Sequence, residues 1–266
     1  MTSVDTAFFF EKGWVRFPAD PVLLDWIEKT LPAARATVTD PANEQWHRCA
    51  GTWFAGVNVL PNDEEGAVAG GPPMAGQAVD FVRDELGLAG FDWDMAQISI
   101  CYPGYPKPME GESEGSFRFR LKRDAAHVDG LLPEGPERRR FLREFHGFVL
   151  GFPMVDFSAD ASPMVVWEGS HEMVRERFRS TYGDRPPADW PDIDVTEDYH
   201  ALRREIFEAC PRVPVSAKRG EAYLVHRLAL HGVAHWGEGA TAGPDGRMIA
   251  YFRPDIGGPA DWLNAL

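Results

Sequence analysis

Of the eight histidines in the chain, only His127 is followed two positions on by an acid, in His127-Val128-Asp129. Alternate residues of an extended segment face the same way, so this imidazole and this carboxylate can point at one ion. The pair follows residues 117–121 (FRFRL), which alternate and read as a strand, and it precedes Gly130, at a strand-to-loop edge. A metal needs a third ligand. Residues 220–232 (GEAYLVHRLALHG) offer His226 and His231 near the end of another strand-like run. Either would complete a set of two imidazoles and one carboxylate, which leaves coordination positions open and is diagnostic of non-haem Fe(II) centres. The plain alternative is that His127 ends a strand and that backbone groups satisfy the downstream histidines. With 41 acids among 266 residues, one such His-x-acid match is expected by chance, so the spacing alone does not decide.

Elements must hold these residues in place. Residues 21–31 and 77–86 carry apolar side chains at helical spacing, and 173–179 and 199–209 read as further helices. Residues 53–60, 95–102, 146–157, 163–167, 222–230 and 247–253 read as strands, together with 117–121. Residues 103–116, rich in Pro, Gly and acid, read as a mobile loop, and 184–194 as an irregular insertion. No β-α-β alternation appears, which excludes a doubly wound parallel sheet. The expectation is a mainly β fold with flanking helices, a sandwich or jelly roll, in one domain over residues 1–266.

Composition narrows the function classes. The net charge of −14 argues against nucleic acid and anionic membrane as partners, because both demand a basic face. No apolar run approaches the roughly 20 residues that span a bilayer. The N-terminus carries an acid at Asp5 and no basic segment, so it does not read as a signal peptide. Cys49, Cys101 and Cys210 are odd in number and widely spaced, which points away from a disulfide framework and toward a reducing cytoplasm.

Four segments in order make the chain resemble the phytanoyl-CoA dioxygenase-like family of Fe(II)/2-oxoglutarate oxygenases. They are AAHVDG (residues 125–130), SPMVVWEGSHE (162–172), GEAYLVHRLALHG (220–232) and Arg247 opening RMIAYF. The N-terminal FEKGWVRFPAD is also similar to the family's start. The resemblance implies a double-stranded β-helix, a cupin-like jelly roll. It implies His127, Asp129 and His231 as metal ligands and catalytic residues, with His231 preferred to His226 because it precedes Gly232. It further implies Fe(II), O2 and 2-oxoglutarate as cofactor and co-substrates, Arg247 as the partner of the distal 2-oxoglutarate carboxylate, and hydroxylation of a small molecule with release of succinate and CO2. The loop between His231 and Arg247 is longer than the family's, which keeps Arg253 open as the alternative anchor.

Further candidates surround this set. Gln97, Ser99 and Tyr102 lie on a strand that borders the co-substrate pocket in such a fold. Trp167 is a candidate for lining the substrate site, against the plainer role of a core aromatic. In a strand, Arg118 and Arg120 would share one face; turned inward, they would bind an anionic substrate, and turned outward they would pair with surface acids. Arg138, Arg139 and Arg140 read as a solvated charge run, and His146 as structural. Two other classes compete: a cupin-like metalloenzyme that does not use 2-oxoglutarate, and a non-catalytic β-sandwich binding module.

Overall fold

The alternating segments pair into antiparallel sheets. The structure is a computed structural model that describes residues 6–88 and 90–265, so Asp5 lies outside the described residues. The strands are β1 (Trp14–Phe17), β2 (His47–Arg48), β3 (Trp53–Gly56), β4 (Gln97–Cys101), β5 (Leu131–Glu134), β6 (Arg139–Leu142), β7 (Phe148–Pro153), β8 (Met164–Trp167), β9 (Arg212–Val215), β10 (Ala222–His226), β11 (His231–Val233) and β12 (Arg247–Phe252). The helices are α1 (Thr6–Lys12), α2 (Pro21–Thr39), α3 (Gln77–Asp84), α4 (Glu114–Lys122), α5 (Ser170–Tyr182), α6 (Thr196–Ala209) and α7 (Pro259–Asn264). A seven-stranded sheet runs β1-β10-β7-β12-β4-β3-β2; a smaller one runs β11-β8-β9, and β5 and β6 form a hairpin.

Strand alternation sorts the side chains into layers. Val149, Tyr223, Val225, Ile249 and Tyr251 of the large sheet meet Met164, Val166 and Val215 of the small one in the interior. The opposite face of the large sheet, with Leu150, Phe152, Leu224 and Phe252, packs on Phe9, Trp26, Ile27 and Phe81 of α1, α2 and α3. Val165 and Trp167, on the outer face of the small sheet, pack on Val174, Phe178 and Leu202 of α5 and α6. The result is a jelly-roll core between helical layers, as the sequence led us to expect. Asp20 ties two of these helices together. One of its oxygens caps α2 by accepting from Val22 N–H at 2.9 Å, and the other accepts from Gln77 N–H of α3 at 2.8 Å.

Residues 117–121 depart from the reading as a strand, because they belong to α4. Ser113 caps this helix, accepting from Ser116 N–H at 3.2 Å. Glu114 in its first turn and Arg120 and Lys122 in its last complement the helix dipole. At about 100° per residue, Arg118 and Arg120 point in different directions rather than sharing a face. The hairpin of β5 and β6 was not legible as strands, since Pro133, Gly135 and the arginine run mask its alternation. Among the described residues no helix is long and apolar enough to cross a membrane.

Candidate metal centre and its cavity

One edge of the small sheet assembles the centre. His127 N–H donates to His231 O at 2.8 Å, and His231 N–H donates back to His127 O at 3.0 Å. This bridge sets the two imidazoles 4.7 Å apart, centroid to centroid. The chain leading to His127 is pinned from both sides. Val233 N–H donates to Asp124 O at 2.9 Å, and Arg212 holds the Asp124 carboxylate at 2.7 and 2.8 Å. A Cβ at position 232 would collide with the Asp124 carbonyl, so the residue after His231 must be glycine. On the far side of the motif, Val128 N–H donates to the Tyr199 hydroxyl at 3.0 Å.

The ring protons follow from these contacts. His127 Nδ1 lies 3.0 Å from Ala125 O, and His231 Nδ1 lies 2.9 Å from Ala229 O. A carbonyl only accepts, so both Nδ1 atoms donate and both Nε2 atoms present lone pairs. Those Nε2 atoms face Asp129 Oδ1 at 3.3 and 3.8 Å. Three acceptors therefore converge within 4.8 Å of one another and can hold a metal ion. Asp129 Oδ2 is buried without a hydrogen-bond partner, and Arg253 Nη1 stands 3.7 Å away. Burial would raise the Asp129 carboxyl, but His231, His127 and Arg253 outweigh it and hold it well below the usual carboxylate range. Burial lowers His231 to about 4 against the pull of Asp129, so the ring is neutral near pH 7, the form that ligates.

A cavity of about 500 Å³ opens over the three side chains. Gln97 and Ser99 line it, and Ser99 Oγ accepts from Trp53 Nε1 at 3.2 Å. Tyr102 does not line it: beyond the end of β4 its ring packs against the outer core. Trp167 is also absent from the wall. On β8, Met164 and Val166 point inward, so Trp167 points outward and meets Phe207 at 5.2 Å. Arg118 is exposed on α4, while Arg120 is buried against Glu112 and the Cys49 thiol, so neither reaches the cavity. His226 shares the outward face of β10 with Leu224; its ring packs at a tilt against His171 at 4.9 Å and faces Arg175 at 3.0 Å, away from the triad.

Arg247 is buried inside the barrel, behind Tyr251. Its Nη2 donates to the Tyr251 hydroxyl at 3.0 Å, and the Tyr223 hydroxyl donates to that same oxygen at 2.8 Å. Its Nε and Nη1 are buried without partners, and no carboxylate lies within ion-pair distance among the described residues. Arg253 lines the cavity instead. Arg48, Arg138, Arg140, Leu132 and Glu144 line it as well, and sequence reasoning had assigned none of them to it. His146 sits in a cluster of ion pairs. Glu144 at 3.1 Å and Asp255 at 3.3 Å flank it; burial works against its charge, but these carboxylates raise it to about 9.

No family model and no curated protein sequence matches the chain. Solved structures match it by shape. SnoK, a non-haem α-ketoglutarate-dependent carbocyclase from nogalamycin biosynthesis, is 15% identical with a TM-score of 0.52, over 96% of this chain and 84% of that one. EctD from S. alaskensis, with bound Fe, is 15% identical with a TM-score of 0.48, over 96% of this chain and 77% of that one. HygX from Streptomyces hygroscopicus, with nickel, 2-oxoglutarate and hygromycin B bound, is 12% identical with a TM-score of 0.46, over 95% and 85%. The likeness to SnoK establishes the shared fold.

Proposed function

We propose that the chain, as one domain over residues 1–266, is an Fe(II)- and 2-oxoglutarate-dependent oxygenase that hydroxylates a small metabolite. The observation that carries this reading is the convergence of His127 Nε2, His231 Nε2 and Asp129 Oδ1 with both ring protons turned away. Two imidazoles and one carboxylate suit Fe(II) and leave its other positions free. Bound there, the iron supplies O2 chemistry in which 2-oxoglutarate, O2 and a C–H substrate become succinate, CO2 and an alcohol.

The chain's own residues bind, orient and shield. Arg247 offers two nitrogens, Nε and Nη1, with unpartnered N–H groups inside the barrel, a fit for the distal carboxylate of 2-oxoglutarate, with the Tyr251 and Tyr223 hydroxyls beside it. A buried guanidinium without a carboxylate speaks against a metalloenzyme that uses no keto acid. Gln97 and Ser99 supply polar groups on the wall, and Val149, Met164 and Leu132 keep it apolar. SnoK, which shares the fold, is α-ketoglutarate-dependent, and this supports the choice of co-substrate. All three cysteines are free thiols, in keeping with a cytoplasmic location. The test is succinate formation with a panel of small metabolites. Succinate should accumulate only when Fe(II), O2 and 2-oxoglutarate are all present, and should cease when Zn(II) replaces Fe(II). Iron-loaded protein that leaves 2-oxoglutarate untouched across the panel would contradict the reading.

A further inference from the structure

The cavity over the triad carries a charge opposite to that of the molecule. Four arginines line it, Arg48, Arg138, Arg140 and Arg253, in a chain of net charge −14. Its carboxylates are already engaged, Asp129 in the triad and Glu144 with His146. Among the described residues, none of Arg48, Arg138 and Arg140 has a carboxylate within 4.0 Å. The hairpin of β5 and β6 shows that this is selective. Arg139 pairs with Asp194 at 2.5 Å and with Glu197 at 3.2 Å, and Arg143 pairs with Glu134 at 2.5 Å. Alternation along β6 puts Arg140 on the other face, Arg138 reaches the same cavity from the turn before the strand, and there no acid answers them. Arg140 is half-buried; its Nη1 donates to Leu131 O at 3.0 Å, and its Nε is buried without a partner. A guanidinium withdrawn from water without a counter-charge is costly unless a ligand supplies one.

Apolar and aromatic side chains stand beside these arginines on the wall. The Arg48 guanidinium lies 5.2 Å from the Trp46 ring and 6.0 Å from the Trp53 ring. Leu132 of the hairpin keeps 38% of its surface exposed beside Arg138 and Arg140. Resting on the oxygenase reading above, we infer that the primary substrate is an anionic small molecule: an apolar body, held by Trp46, Trp53 and Leu132, that bears a carboxylate, sulfate or phosphate bound by Arg140 with Arg138 and Arg48. These arginines are specificity residues that touch substrate and leave 2-oxoglutarate to Arg247.

The test uses 2-naphthoate and its neutral analogue 2-naphthalenemethanol, followed by quenching of tryptophan fluorescence in the metal-free full chain. Metal-free protein makes the result independent of the iron and 2-oxoglutarate reading, which succinate formation tests separately. The anion should bind saturably and about tenfold more tightly than the alcohol, the scale of one charge-assisted contact. Arg140→Gln and Arg138→Gln should each erase most of that preference, while Arg139→Gln, whose side chain pairs outside, should keep it. Arg138 sits at an exposed turn, so its variant folds even where Arg140→Gln does not. Equal binding of acid and alcohol, or an undiminished preference in Arg138→Gln and Arg140→Gln, would overturn the inference.

Discussion

At the scale of single residues, hydrogen-bond direction separates the two candidate histidines. His231 turns Nδ1 to a carbonyl and frees Nε2 for a metal, whereas His226 accepts from Leu228 N–H at 3.0 Å and packs against His171 in the outer core. His231→Ala should therefore lose bound iron, while His226→Ala should keep it and lose about 2–4 kcal/mol of stability through the cavity left behind. Metal content after anaerobic dialysis and urea unfolding read the two effects; the reverse pattern would exchange their roles. From spacing alone both histidines stood open, since which face each presents depends on where the strand ends, and only the resemblance, through Gly232, preferred His231. His146 gives a second expectation. Its folded value of about 9 lies above the usual 6.5 of an unfolded histidine, so its ion pairs stabilise fully below pH 6.5. That stability should fade as pH rises from about 6.5 to 9. Its exposed partners screen the effect to about 2 kcal/mol or less. The wild type should lose more stability across this window than His146→Gln, as followed by thermal unfolding; parallel curves would refute the linkage.

At the scale of elements, the centre depends on one bridge between the segment at His127 and β11. Gly232 permits it, because the Asp124 carbonyl occupies the space a side chain would need. Gly232→Ala should push the two segments apart, cost about 1–3 kcal/mol and weaken iron binding, although no ligand is altered. Iron affinity and stability equal to wild type would show that the bridge can yield. Gly232 and the His-x-Asp spacing were legible in the sequence because backbone crowding and ligand geometry both restrict residue type. The elements on either side were less so. Alternation of Phe and Arg at 117–121 mimics a strand, but the Ser113 cap and the placement of charge at each end favour the helix. The arginines at 138–140 look uniformly solvated as a run, yet the hairpin turns Arg139 to Asp194 and its neighbours to the cavity. Arg118 and Arg120, read from the sequence as candidates for an anionic substrate, lie away from the cavity, and the arginines that do line it are Arg48, Arg138, Arg140 and Arg253.

At the scale of the whole molecule, helices cover the outer faces of both sheets, and Arg247 is buried between the sheets. The jelly roll was legible from its alternating runs and from the order of its motifs, because a two-sided β core imposes a period of two. The placement of Trp167 and Tyr102 was not, since only strand register tells inward from outward. The central claim is that the triad and Arg247 together hold iron and a keto acid. Arg247 faces no carboxylate of its own, so its removal should raise the 2-oxoglutarate requirement by the equivalent of about 3–5 kcal/mol. The most direct measurement is the visible spectrum of anaerobic protein titrated with Fe(II) and then with 2-oxoglutarate. A weak charge-transfer band should appear only when both are present, should be absent from His231→Ala, and should need far more 2-oxoglutarate in Arg247→Ala. Wild-type protein that binds Fe(II) and gives no band at saturating 2-oxoglutarate would contradict the account.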